Sequence, residues 1–270
     1  MKSELFYENP NLSIVLPGPC QAKCDFCFWY QKPTDSKWLE KLEYILDTLP
    51  QCFYQVSITG GEPTLSPLLL DTLDLLQSRR KKYKKVVLTT NGVKLYKCLE
   101  AVNRSVDHVN ISRHHWLTEE NYKIFKTQNI PDTPMLELYA KSLGKKLTFN
   151  CVIKDMSVAD MKTYLAHARK LGVSNVCFRQ EHGDLNPVAI EAFLLKNYKK
   201  VGEGGCPVCR SSFFDYRTSI LDFKGMNVGI KYSVLEPKDV IDGIYELIFH
   251  SDGILTADWE ANVEIDLVKS

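Results

Sequence analysis

Cys20-Gln21-Ala22-Lys23-Cys24-Asp25-Phe26-Cys27 gathers three thiols into eight consecutive residues. Thiolates are soft, polarisable donors, and three on one short loop can wrap an iron–sulfur cubane without closing a long stretch of chain. Three ligands leave one of the four irons open to a ligand from outside. The competing readings are a zinc knuckle or three incidental buried thiols. Zinc takes four protein ligands, or three and an activated water, and neither His nor Cys stands nearby in sequence to make the fourth. Nine cysteines, an odd number with three of them clustered, fit metal ligation in a reducing compartment better than a disulfide framework.

Other residues with chemical potential fall at predicted strand ends. Ile58-Thr59-Gly60-Gly61-Glu62-Pro63 ends the second predicted strand. Two glycines allow close backbone approach to a ligand, and Glu62 offers an acceptor to an ammonium group. Alone, this stretch reads as a turn with a helix-initiating proline. Asn110-Ile111-Ser112-Arg113-His114-His115-Trp116 closes the fourth strand as a dense polar cluster. Arg113, His114 and His115 are candidates for contact with substrate, an exposed loop or helix turn being the plain alternative for the histidines. Arg179-Gln180-Glu181-His182-Gly183-Asp184 ends the sixth strand, and its position makes Arg179 a further candidate for the pocket.

Six short β-branched runs must present these residues: Leu12 to Leu16, Tyr54 to Thr59, Lys85 to Thr90, Asp107 to Ser112, Leu147 to Ile153 and Asn175 to Arg179. Helices are expected to begin near Ser36, Ser66, Val93, Leu117, Ser157 and Asn186. Such alternation implies parallel strands joined by crossover helices, as an open doubly wound sheet or an incomplete barrel, and in either the site lies at the strands' C-terminal ends. Val201 to Cys209, rich in glycine, reads as a linker or loop. Beyond it, Arg217 to Phe223, Asn227 to Ser233, Tyr245 to His250 and Ile254 to Trp259 read as hairpin-like strands with turns at Lys224-Gly225 and Asp252-Gly253.

C-x3-C-x2-C with an aromatic before the last cysteine, here Phe26, resembles the signature of the radical S-adenosylmethionine (SAM) superfamily, and Gly60-Gly61-Glu62 resembles its GGE motif. The resemblance runs over residues 12 to 180. It implies a partial (β/α)6 TIM-type barrel, placed over residues 1–200. The hairpin-like segment beyond it reads as a small β-rich C-terminal extension, residues 201–270, whose alternating apolar residues are expected to cover the barrel opening. The resemblance also implies a [4Fe–4S] cluster on Cys20, Cys24 and Cys27, with SAM bound by Phe26, Gly60, Gly61 and Glu62, the last two elements meeting its amino group. By position, Ser112 and Asn150 fall near the ribose and Arg113 near the methionine carboxylate. The implied activity is reductive cleavage of SAM to a 5′-deoxyadenosyl radical that abstracts hydrogen from a small-molecule or peptide substrate, fed by an external reductant such as flavodoxin or ferredoxin. The rivals are an activase that installs a glycyl radical on a partner enzyme and a non-catalytic iron–sulfur electron carrier; the second leaves Gly60-Gly61-Glu62 unexplained.

Cys206 and Cys209 bring a second cluster to mind, but two ligands cannot hold a cubane, and unbound thiols are the expectation. Cys151 and Cys177, on neighbouring predicted strands, read as small buried residues. Phe28, Trp29 and Tyr30 read as aromatic packing around the cluster loop. A formal net charge of +1 argues against nucleic acid and an anionic membrane as partners. Arg79 to Lys85, the one strong charge run, suits a solvated helix C-terminus. With no apolar leader and no stretch long enough to span a bilayer, a cytoplasmic location is expected.

Overall fold

In a computed structural model the described residues are 6–27, 33–49, 53–153, 156–180, 187–204, 218–231, 244–257, 259 and 264–265. Each of the six apolar runs forms a strand: β1 (Phe6–Leu16), β2 (Phe53–Gly60), β3 (Tyr83–Thr90), β4 (His108–Ser112), β5 (Leu147–Ile153) and β6 (Asn175–Gln180). β1 starts six residues earlier than its apolar run. Its register slips between Phe6 and Asn11, around Pro10, which lacks a ladder donor. Helices α1 (Trp38–Thr48), α2 (Leu69–Ser78), α3 (Leu99–Ser105), α4 (Thr118–Phe125), α5 (Thr133–Leu143), α6 (Val158–Lys170) and α7 (Pro187–Asn197) connect them.

The chain divides into two compact units. The first comprises Met1–Gln21, Phe28–His108 and Ile241–Ser270. Its strands run in the order β11-β10-β1-β2-β3, where β10 is Ile244–Phe249 and β11 is Leu255–Thr256. β10, β1, β2 and β3 are parallel and β11 turns back on β10. α1 sets Trp38, Leu42, Ile45 and Leu46 on one buried face, the spacing an apolar helix stripe requires. The Trp38 indole N–H donates to the His250 carbonyl at 2.8 Å, so the one polar atom of a fully buried ring is satisfied.

The second unit comprises Ala22–Cys27 and Val109–Val240. Its strands run β4-β5-β6-β9-β8-β7, with β7 at Lys199–Gly204, β8 at Thr218–Phe223 and β9 at Met226–Lys231. β4, β5, β6 and β9 are parallel, while β8 is antiparallel to both β9 and β7. Ser157 and Asp160 close a reciprocal capping box at the start of α6. Phe149, Tyr164 and Phe178 are among the largest fully buried side chains.

Three expectations need correction. Residues 201–204 are not linker: they belong to β7, whose ladder partners lie in β8, and a register slip at Lys200/Gly202 absorbs the glycines. The rest of that interval, with Cys206 and Cys209, lies outside the described residues. Between β4 and β5 stand two helices rather than one, because Lys126 turns left-handed at φ 54 to end α4, and Asp132 caps α5 by accepting from the Met135 N–H at 3.0 Å. The charge run is not simply solvated: Arg79 pairs with Glu43 and Asp47, Arg80 pairs with Asp107, and Lys84 and Lys85 belong to β3. The hairpin turns fall where expected, with positive φ at Lys224, Gly225 and Gly253. Phe28, Trp29, Tyr30 and residues 181–184 lie outside the described residues. Among those described, no helix is long and apolar enough to cross a membrane.

Candidate functional site

In the first unit, the C-terminal ends of β1 and β2 meet with Leu16 opposite Gly60. Gly60 has φ +140, and a Cβ there would sit 2.7 Å from the Leu16 carbonyl oxygen, so only glycine lets the strands come this close. The chain leaving β1 is then docked onto the turn that follows β2. The Glu62 N–H donates to the Pro19 carbonyl at 3.1 Å, and the Ser66 hydroxyl to the Pro17 carbonyl at 2.5 Å. Cys20 and Gln21 continue directly from this docked segment.

The Glu62 side chain is only 2% exposed. Its Oε1 accepts from the Thr64 N–H at 2.9 Å, the Thr64 hydroxyl at 2.6 Å and the Thr90 hydroxyl, while Oε2 accepts from the Asn91 N–H at 2.6 Å. Burial pushes its carboxyl above the ordinary range, against the opposing pull of those donors. The carboxylate expected to meet an ammonium group thus takes four hydrogen bonds from its own chain, three on Oε1 and one on Oε2. It fixes the exit of β3 and the 3-10 turn Pro63–Leu65. Thr64, Thr90, Asn91 and Gln21 were not singled out in the sequence. The available signal was Thr90-Asn91-Gly92, a polar turn at the end of a third parallel strand.

The second unit holds Cys24, Phe26 and Cys27. The Lys23 N–H donates to the Phe125 carbonyl at 2.9 Å, and the Lys126 ammonium pairs with Asp25. Phe26 meets the His114 ring edge-on with centroids 4.9 Å apart, and His114 in turn lies 5.0 Å from the Phe125 ring. His114 Nδ1 accepts from the Val152 N–H at 3.1 Å, which places the ring proton of the neutral form on Nε2. Burial first, then the charges of Arg113 and Arg179, hold its pKa down to about 3. His114 is therefore a neutral packing group beneath the cysteine loop.

Arg113 is 2% exposed and turned inward. Its guanidinium donates to the Pro131 carbonyl at 3.3 Å and the Thr118 hydroxyl at 2.9 Å, and burial lowers its pKa. The Arg113 carbonyl accepts from the Tyr164 hydroxyl at 2.7 Å, and its N–H donates to the Asn150 carbonyl at 2.9 Å. Asn121 bridges the same loop, taking the N–H groups of His114 and His115 on Oδ1 and donating to the His115 and Leu117 carbonyls. His115 is half-buried, stacks on Trp116 with ring centroids 3.8 Å apart, and accepts from the Leu117 N–H on Nδ1; burial lowers its pKa. Ser112 and Asn150 are direct register partners on β4 and β5, so their side chains share one face of the sheet. Arg179 is half-buried on β6, in register with Val152 and Lys231.

Cys20 and Cys24 are partly buried and Cys27 is exposed. The Cys27 N–H donates to the Cys24 carbonyl at 3.2 Å, closing a tight turn between those two. Among the described residues no three His, Cys, Asp or Glu side chains are already gathered as a metal centre. The donor set nonetheless fits an iron–sulfur cluster in kind: three thiols of one loop, with accessible sulfur at Cys27.

The GTP 3′,8-cyclase of Aquifex aeolicus (strain VF5) is 28% identical over 176 residues, 60% of this chain and 54% of that protein. The GTP 3′,8-cyclase of Aliarcobacter butzleri (strain RM4018) is 25% identical over 206 residues, 69% of this chain and 62% of that protein. The chain thus spans about half to three-fifths of the length of these curated relatives. The crystal structure of Streptococcus suis SuiB bound to S-adenosylmethionine superposes with a TM-score of 0.70 at 13% identity, covering 98% of this chain and 65% of that one. That likeness carries the fold class, α/β of the partial TIM-barrel type. The family model of the Radical SAM superfamily, whose enzymes use a [4Fe–4S] cluster and SAM, matches residues 14–152, just over half of the chain. The chain belongs to the Radical SAM superfamily.

Proposed function

We propose that Cys20, Cys24 and Cys27 hold a [4Fe–4S] cluster at which this chain reductively cleaves SAM, and that the resulting 5′-deoxyadenosyl radical takes hydrogen from a small-molecule or peptide substrate. The observation that carries this reading is the docking of the residues before Cys20 on the Gly60-Gly61-Glu62 turn, through the Glu62 N–H to Pro19 carbonyl bond of 3.1 Å. When bound and reduced, the cluster supplies the electron that breaks the sulfonium carbon–sulfur bond. The chain's own residues position. Gly60 and Gly61 bring bare backbone to the ligand's amino acid end. Glu62 acts by holding that backbone in place. Ser112, at the end of β4, and its register partner Asn150, within β5, offer a hydroxyl and an amide to the ribose. Arg113 acts through the loop it anchors, since its guanidinium is engaged in the core. An external reductant such as flavodoxin or ferredoxin feeds the cluster.

The test is anaerobic reconstitution followed by an assay for 5′-deoxyadenosine with a chemical reductant. Formation of that product at a rate above the cluster-free protein supports the reading, and its absence in a fully iron-loaded sample sinks it.

A second reading concerns the substrate alone. Both curated relatives described above are GTP 3′,8-cyclases, which favours a nucleotide as the hydrogen donor. Reconstituted protein incubated with SAM, reductant and GTP should then consume GTP in step with 5′-deoxyadenosine formation. Unchanged GTP alongside active SAM cleavage would leave the first reading in place and remove this one.

A further inference from the structure

We propose that the paired side-chain amides of Gln21 and Asn91 form a positioning latch that sets the start of the cysteine loop against the Gly60-Gly61-Glu62 turn; this rests on the reading that the site binds SAM. Gln21 follows Cys20 directly. Its Nε2 donates to Asn91 Oδ1 at 2.9 Å, and Asn91 Nδ2 donates back to Gln21 Oε1 at 3.3 Å. Two amides bonded in both directions are self-complementary, so each fixes the orientation of the other.

Asn91 is itself held from two further sides. Its N–H donates to Glu62 Oε2 at 2.6 Å, and its Oδ1 accepts from the Val93 N–H at 3.1 Å. Beside it, the Thr90 hydroxyl donates to Glu62 and accepts from the Gly92 N–H at 2.8 Å. The buried carboxylate therefore organises the exit of β3, and Asn91 passes that placement on to the residue after Cys20. Gln21 is half-buried in a bend with no regular secondary structure, so the pair contributes orientation rather than core packing. Any ligand that spans from a metal at Cys20 to the backbone of Gly60 and Gly61 needs those two points at a set separation. The latch, the Glu62 N–H to Pro19 bond and the Ser66 hydroxyl to Pro17 bond are polar ties that help to set it within this unit. Gln21 and Asn91 are thus positioning residues, acting through Cys20 and Glu62.

The test uses reconstituted full-length protein under anaerobic conditions with three measurements: iron content, SAM affinity by calorimetry, and the electron paramagnetic resonance spectrum of the reduced cluster with and without SAM. Gln21→Ala should keep the wild-type iron content, bind SAM roughly tenfold more weakly, and lose most of the spectral change that SAM causes, the loss expected for two hydrogen bonds. The exchanged pair, Gln21→Asn with Asn91→Gln, restores both amides at the same combined length and should recover affinity and spectrum. Wild-type affinity and an unaltered spectral response in Gln21→Ala overturn the latch, as does an exchanged pair no better than the single variant. Loss of iron in Gln21→Ala overturns it too, because the pair would then serve cluster assembly. Wild-type protein that binds no SAM overturns the latch and the proposed function together.

Discussion

Phe26 stands edge-on to the His114 ring at an interplanar angle of 78°, with 4.9 Å between centroids. The aromatic that precedes the last loop cysteine is thereby seated on a histidine whose Nδ1 is bound to the Val152 backbone. The sequence leaves His114 open between a substrate contact and an exposed loop or helix turn; in the fold its ring is buried against Phe26 and Phe125. Its value depends on remaining neutral.

That neutrality makes stability depend on pH. The His114 pKa falls from 6.5 to about 3 on folding, so between those values the unfolded chain binds more protons than the folded one. Stability should therefore fall as pH drops through this window and be flat above it, with a slope approaching about 1.4 kcal/mol per pH unit from this group. Chemical denaturation from pH 4 to 7 should show a shallower slope for His114→Gln than for wild type. Parallel slopes would refute the assignment.

Replacing Cys20, Cys24 or Cys27 by Ala should abolish the brown chromophore and SAM cleavage. Full iron and turnover in any one of the three would remove that residue from the ligand set. Cys206→Ala with Cys209→Ala should instead leave iron at about four per chain, since two thiols cannot hold a second cubane. Loss of about half the iron in the double variant would place the protein among multi-cluster enzymes.

Glu62→Ala strips the acceptor from the Thr64 and Thr90 hydroxyls and from two backbone N–H groups, those of Thr64 and Asn91. Buried donors left without partners cost about 1–3 kcal/mol each, so the variant should be less stable and should bind SAM about 1.5–3 kcal/mol more weakly while keeping its iron. Glu62→Gln, which retains one carbonyl acceptor, should fall between the two in both measurements. A Glu62→Ala protein with wild-type melting temperature and wild-type SAM affinity would show that the carboxylate holds nothing in place.

The folded Glu62 carboxyl has a raised pKa, its burial outweighing its hydrogen bonds, so the folded state keeps this proton to higher pH than the unfolded value near 4.5. Its contribution to stability should accordingly decline as pH rises from about 4.5 through the folded value, opposite in sign to that of His114. The difference in unfolding free energy between wild type and Glu62→Gln, followed from pH 4 to 8, reads this directly.

Truncation before Val201 removes β9 from the side of β6 and β10 from the side of β1. Both exposed strands carry apolar residues buried in the intact chain, among them Leu12, Ile14 and Phe178. Open edges of this kind aggregate, so the truncated chain should partition into the pellet on expression while the full chain stays in the supernatant. A soluble, monomeric truncation would contradict the role given to the C-terminal strands.

Sequence alone determined whatever depends on neighbours along the chain. Apolar β-branched runs mark the six strands, Ser157 marks the start of α6, Lys224-Gly225 and Asp252-Gly253 supply turns, and Cys20, Cys24 and Cys27 stand together on one short loop. What required residues distant in sequence was decided only by tertiary structure. β7 is a strand because β8 supplies its hydrogen bonds, and a glycine-rich stretch without that partner reads as loop. β10 inserts beside β1, where Glu246 accepts from the Ser13 hydroxyl at 2.9 Å across 233 positions, a pairing no local pattern encodes. The same holds for the site. Arg113, His114 and Glu62 carry charge or proton chemistry by type, but a buried polar group must find its partners wherever the fold places them, and Thr118, Val152 and Thr90 became those partners only when the strands and helices packed.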